Sequence, residues 1–138
     1  MQSKEVRAFK NELRNYAYWK SRLVTLSNSI EYCYERLGGV RGIDPSKEPT
    51  HAMPNKELEY KLRDDIERYR HDLERFARRI EEVDIVLARI DKDLAEAIRN
   101  VYIERQQMRK VADKFYLSYN GLSYRMDKAI QEALDEED

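Results

Sequence analysis

The stretch Leu62-Arg-Asp-Asp-Ile66-Glu-Arg-Tyr69-Arg-His-Asp-Leu73-Glu-Arg-Phe76-Ala-Arg-Arg-Ile80-Glu-Glu-Val83-Asp-Ile-Val-Leu87 decides the fold. From Ile66 its apolar residues step alternately by 3 and 4, and the pattern runs on through Ile90 and Leu94. That spacing places one continuous stripe along a helix, the seam of a coiled coil. The positions between are dense in Glu, Asp, Arg and Lys, as a solvated helix face should be. A helix of ~35 residues is ~50 Å long at 1.5 Å per residue and cannot bury such a stripe alone.

Upstream, Val6, Phe9, Leu13 and Tyr16 form a second 3/4 pattern, and Leu23, Leu26, Ile30, Cys33 and Leu37 continue it after a drift in phase near Trp19-Lys20. Three of the four glycines and all three prolines lie between Gly38 and Asn55, the one strong breaker region. The expected organisation is an N-terminal helix over 1–37, a Gly/Pro loop over 38–55, a long coiled-coil helix over 56–90 and a C-terminal helix-turn-helix bundle with an acidic tail over 91–138. The fold class is all-α. The two long helices fold back as an antiparallel hairpin, pair between chains, or both.

With 138 residues, 26 Lys+Arg against 27 Asp+Glu and 38 % charged residues, the chain has far more charge than an ordinary globular protein. Its near-zero net charge and regular Leu, Ile and Tyr do not fit disorder. No apolar run approaches the ~18 residues of a membrane span, and Met1 to Arg7 has no apolar leader, so a cytoplasmic protein without membrane contact is expected. A single Cys33 excludes an internal disulfide, and with only His51 and His71 no structural zinc site is expected. Cys33 falls on the apolar stripe without a base nearby to activate it. Asp64-Asp65 and Glu81-Glu82 are sequence neighbours that face different sides of a helix, so neither is an acid/base pair. With no phosphate-binding glycine loop either, neither an enzyme nor a cofactor is expected.

Beyond Asp91 the pattern shortens. Asp91 to Arg105 reads as one helix and Met108 to Phe115 as a two-turn helix. After a break at Tyr116-Leu117-Ser118, a longer helix runs on to Leu134. Two short helices meeting at a three-residue turn are a helix-turn-helix. Ala112 is small where the helices cross, and Val111, Phe115, Leu117 and Leu122 fill the space between them. Ser118 or Asn120 is the N-cap. Leu122, Met126, Ile130 and Ala133 form the buried face. Tyr119, Asn120, Ser123, Tyr124 and Lys128 are then outward with Arg125 at the edge, side chains suited to base edges in a major groove. Arg109, Lys110 and Lys114 on the preceding helix suit phosphates. Residues 91–138 hold 8 basic and 11 acidic residues, a balance that makes a monomer a weak DNA binder and calls for a homo-oligomer.

The segment Ile90-Asp-Lys-Asp-Leu-Ala-Glu-Ala-Ile-Arg-Asn-Val-Tyr-Ile-Glu104, followed by Met108-Arg-Lys-Val-Ala-Asp-Lys-Phe-Tyr-Leu-Ser-Tyr-Asn-Gly-Leu-Ser-Tyr-Arg-Met-Asp-Lys-Ala-Ile130, resembles the phage- and prophage-encoded ArpU/RinA-type regulators of Gram-positive bacteria. The C-terminal half of those proteins is similar to region 4 of sigma-70-family factors. The likeness extends more loosely over the N-terminal helix, the Gly-Val-Arg-Gly-Ile43 loop and the long charged helix. It implies binding of double-stranded DNA and activation of phage late genes in the bacterial host cytoplasm, with host RNA polymerase as a candidate partner. Ser118, Tyr119, Asn120, Ser123, Tyr124 and Arg125 would form the recognition end. Two departures stand out. Tyr116 takes the turn position where glycine is usual, so the turn must avoid positive φ or absorb strain. Arg125 stands where an apolar residue is expected and Met126 takes that role one place later, which shifts or rotates the recognition helix. Gly121 inside the helix costs roughly 1 kcal/mol against Ala and allows a close approach to DNA or to the first short helix. The competing readings are a phage small terminase subunit, which also joins a helix-turn-helix to a helical oligomerisation region, and a purely structural helical interaction protein.

Overall fold

The computed structural model describes residues 3–41 and 56–136, with side chains at 39–41 excepted. Among the described residues the chain is helical throughout and has no strand. α1 spans Lys4–Arg41, α2 Lys56–Ala88 and α3 Lys92–Ile98, which runs on into a π-helical turn at Arg99–Ile103. α4 is Met108–Lys114 and α5 is Tyr119–Asp135. Among the described residues no helix is long and apolar enough to cross a membrane.

The chain divides into two compact units, one of Met1–Trp19 with Arg78–Asp138 and one of Lys20–Ala77. The boundary in α1 falls where the apolar stripe changes phase. In the second unit the later part of α1 and the first part of α2 form a two-helix hairpin. Its core is Cys33, Leu37, Leu62 and Ile66, with Ile30, Leu58 and Tyr69 packed against it. The stripe of α2 is not covered evenly. Leu62 and Ile66 are buried, Tyr69, Leu73 and Phe76 are half-exposed, and Ile80, Val83 and Leu87 are buried again. Arg75 lays its guanidinium over the Phe76 ring at 5.2 Å, so a charged side chain shields part of the gap.

Three sequence expectations are corrected. The first helix does not end at residue 37: α1 continues through Gly38 to Arg41, because a lone glycine weakens a helix without breaking it. The rest of the Gly/Pro loop, residues 42–55, lies outside the described residues. Asp91 to Arg105 is not one regular helix. Glu104 N–H donates to the Arg99 carbonyl five residues back at 2.9 Å, and Arg105 then turns to φ 56, ending the element. Residues 91–138 are also not a bundle by themselves, since the start of α1 and the end of α2 share their unit. Val6, Phe9 and Leu13 of α1 are 2 %, 3 % and 0 % exposed there.

α1 begins on a cap that the sequence reading passed over: Ser3 Oγ accepts from Val6 N–H at 3.1 Å. Ser3 Oγ in turn donates to Gln131 Oε1 on α5, and Gln131 Nε2 donates to Glu5 at 3.1 Å. Deeper along the same contact, Lys10 reaches Asp127 of α5 with Nζ–Oδ1 at 2.5 Å. Asp127 Oδ1 is buried and accepts no aligned hydrogen bond, so the Lys10 ammonium is its partner through charge. Lys10 also lies 5.3 Å from the centre of the Tyr102 ring in the π-helical turn, with Arg14 at 5.6 Å from the same ring.

Candidate nucleic-acid interface

α5 packs against α3 and α4. Its contact residues follow from spacing: Leu122, Met126 and Ile130 step by four and Ala133 by three, and all are buried. On α4, which packs against α5, Val111 and Ala112 are 0 % and 1 % exposed, so the small residue expected at the crossing is buried. Phe115 and Leu117 are only half-buried.

The turn between the helices is a Schellman closure. Leu117 N–H donates to the Ala112 carbonyl at 2.9 Å and Tyr116 N–H to the Asp113 carbonyl at 3.2 Å. That geometry needs a left-handed residue after the cap, and Tyr116 supplies it with φ 57. For a side chain other than glycine this conformation costs about 1 kcal/mol. Of the two ways left open for a bulky turn residue, the chain therefore takes the strained one.

Between the two candidate caps, Ser118 is the one that serves. Its Oγ accepts from Gly121 N–H at 3.0 Å and α5 starts at Tyr119. Gly121 gains its meaning from this cap. A Cβ there would stand 3.0 Å from Ser118 Oγ, so the missing side chain leaves room for the capping hydroxyl rather than for another helix. At the far end, Arg89 Nη1 donates to the carbonyls of Ala133 and Glu136, both at 3.1 Å, and closes the C-terminus of α5.

With the start of α5 fixed, each predicted site residue has a place. Asn120, Tyr124 and Lys128 follow one another at four-residue steps on the side away from Leu122, Met126 and Ile130, and all three are exposed. Tyr119 and Arg125 flank that stripe and are exposed too, while Ser123 is half-buried and Ser118 serves as the cap. Arg109, Lys110 and Lys114 are exposed on α4. None of the five cations Arg109, Lys110, Lys114, Arg125 and Lys128 makes an ion pair among the described residues. Met126 is fully buried and Arg125 is exposed, so the apolar position falls at Met126 in this helix.

The outward stripe is not open along its whole length. Beside Tyr124 and Lys128 lies a cavity of about 450 Å3 whose wall includes Ser3, Val6, Asp127 and Gln131. The first turn of α1, with acidic Glu5, thus runs along the second half of α5, and the free part of the stripe is its N-terminal half. Sequence reasoning missed Lys10, Tyr102 and the α1 edge of this site. One signal was present, because Lys10 falls four residues after Val6 and three before Leu13, on the apolar stripe where a charge needs a buried partner. Among the described residues no cluster of His, Cys, Asp and Glu is placed to hold a metal ion. Comparison of the chain with protein-family models, with curated proteins and with solved structures finds no match.

Proposed function

We propose that this chain is a sequence-specific double-stranded-DNA-binding regulator of phage genes, acting through α4, the turn and the N-terminal half of α5. The observation that supports it is the free stripe Asn120–Tyr124 with Arg125, set beside unpaired Arg109, Lys110 and Lys114, with exposed Lys128 at the edge bordered by α1. Asn offers paired donor and acceptor atoms to an adenine edge, and Arg offers a donor fork to guanine. The α4 cations would hold phosphates on either side and set the register of the helix in the groove. A recognition helix reads bases with its N-terminal residues, which is the part of α5 that α1 leaves uncovered. The resemblance to ArpU/RinA-type regulators supplies the biological setting, phage late-gene control in a bacterial cytoplasm with RNA polymerase as partner. Homo-oligomerisation through the long helices would multiply a modest monomer affinity.

Affinity capture tests this reading. The purified full-length protein is mixed with sheared DNA carrying the prophage at ~150 mM salt, and the retained fragments are sequenced. The expected result is a narrow set of sites upstream of late genes, lost when Tyr124 and Arg125 are both changed to Ala with helicity intact. Enrichment at the packaging start site would instead support a small terminase subunit, and no enrichment at any site would overturn DNA recognition.

A further inference from the structure

Tyr116 is the most exposed large hydrophobic side chain among the described residues, at 96 %. Its backbone holds φ 57 at the turn, while its phenol makes no hydrogen bond or ring contact among the described residues. Glycine would close the same Schellman turn without strain, and asparagine with little. The free protein thus carries an unfavourable backbone conformation at a residue whose aromatic ring is packed against nothing. Outliers of this kind gather where a contact made in the functional state depends on them. Lys114 lies two residues before it, unpaired and exposed, and Tyr119, three residues after it, is 51 % exposed.

We propose that Tyr116 is a DNA-backbone contact whose phenol O–H donates to a phosphate oxygen when a duplex meets the α4–α5 face. This inference rests on the DNA-binding reading above and adds a residue that no groove-reading argument selects, since Tyr116 belongs to the turn and not to the outward stripe of α5. A phosphate is the fitting acceptor for three reasons. The turn lies outside the stripe that would enter a groove. The side chain offers a single neutral donor. The neighbouring α4 cations already favour a polyanion. Lys114 would supply charge and Tyr116 direction, as neutral hydroxyls do in positioning contacts.

The contact is independent of base sequence, so a mixed-sequence duplex of about 30 bp at ~50 mM salt serves as the probe for the full-length protein. Tyr116→Gly relieves the turn and should melt ~3 °C higher than the parent while binding the duplex about fivefold more weakly. Tyr116→Phe should melt like the parent and bind as weakly as the glycine variant. Neither changes the salt dependence of binding, whereas Lys114→Ala should weaken binding and lower the salt slope by about one. If Tyr116→Gly melts higher but keeps parental affinity while Lys114→Ala loses it, the phosphate contact is overturned and DNA binding stands. Parental affinity in Tyr116→Phe alone overturns the hydroxyl as donor. A parent protein that fails to hold the duplex at this salt overturns both readings together.

Discussion

Lys10 shows how one residue ties the first helix to the candidate reading helix, and the exposure of its partner makes the contribution testable. The Lys10 side chain is 7 % exposed and that of Asp127 is 31 %. Removing either partner breaks the same ion pair, yet the group left behind differs. Lys10→Met keeps the aliphatic stem and leaves a carboxylate whose Oδ1 is buried but whose side chain is still partly exposed, at a cost of about 1 kcal/mol. Asp127→Ala strands an ammonium in a buried place where Arg14 also lies against the Tyr102 ring, and should cost about 3 kcal/mol. Denaturant unfolding of the two variants checks the asymmetry; equal losses would contradict it, and negligible losses in both would mean that the pair does not anchor α5. Tyr16 is a second residue with a readable signature. Its hydroxyl donates to Asp84 Oδ1 at 2.8 Å. Burial first, and then Asp84, push the phenol up to about 12, with Arg99 opposing. The folded state therefore holds this proton more tightly than the unfolded chain does. The stability linked to it is complete below pH 10 and is lost as pH rises through about 12. The difference in unfolding free energy between the parent and Tyr16→Phe should accordingly be constant from neutral pH to about 9 and shrink above 10. A difference that grows with alkalinity would contradict the hydrogen bond to Asp84.

At the scale of elements, the hairpin of residues 20–77 is the part most legible from spacing and the part with the thinnest core. Cys33 is 5 % exposed within the cluster of Leu37, Leu62 and Ile66. Burial, with Asp65 adding to it, raises its thiol above the ordinary range. A thiol reagent should therefore label Cys33 only when the hairpin opens locally, far more slowly than an exposed cysteine. Leu62→Ala removes a core contact of about 2–3 kcal/mol and should speed labelling roughly thirtyfold or more, if opening precedes reaction. Labelling of the parent at the rate of a free thiol would show that the hairpin packing does not persist in solution. The 3/4 spacing located both long helices because a buried stripe leaves its period in the sequence, and the change of phase near Trp19-Lys20 coincides with the division between the two units. The same spacing did not foretell that Leu73 and Phe76 are half-exposed. Period reports which side of a helix is apolar, not how much of a partner covers it. The π-helical turn at Arg99–Ile103 was illegible for a related reason. It widens one turn by a single residue and leaves no change in composition. In the candidate site, the buried residues Val111, Ala112, Leu122, Met126 and Ile130 were all legible from local pattern.

At the scale of the whole molecule, sequence order misleads, because the unit that holds the candidate site draws its core from both ends of the chain. Residues 1–19 belong with 78–138, although residues 20–77 lie between them in sequence. No local pattern carries that information; it lies in side chains that need distant partners, such as Lys10 with Asp127, Ser3 with Gln131 and Arg14 with Tyr102. The energetic consequence can be bounded. Val6, Phe9 and Leu13 are almost fully buried, and burying each such side chain is worth about 1.5–3 kcal/mol. Together they contribute roughly 6 kcal/mol, comparable with the whole stability of a small domain. A fragment of residues 91–138, or even 78–138, should therefore be largely unfolded alone, despite containing every predicted DNA-contacting residue. Adding a peptide of residues 1–19 should restore helicity in far-UV circular dichroism and a cooperative melt. A peptide carrying Lys10→Ala should do so only at a much higher concentration, since the salt link to Asp127 is then missing. DNA affinity should return with the fold in the same titration, because α5 cannot present Asn120 and Tyr124 until its buried face is covered. A cooperative melt of 78–138 in the absence of the peptide would refute this dependence and make the start of α1 a peripheral strap instead of part of the core.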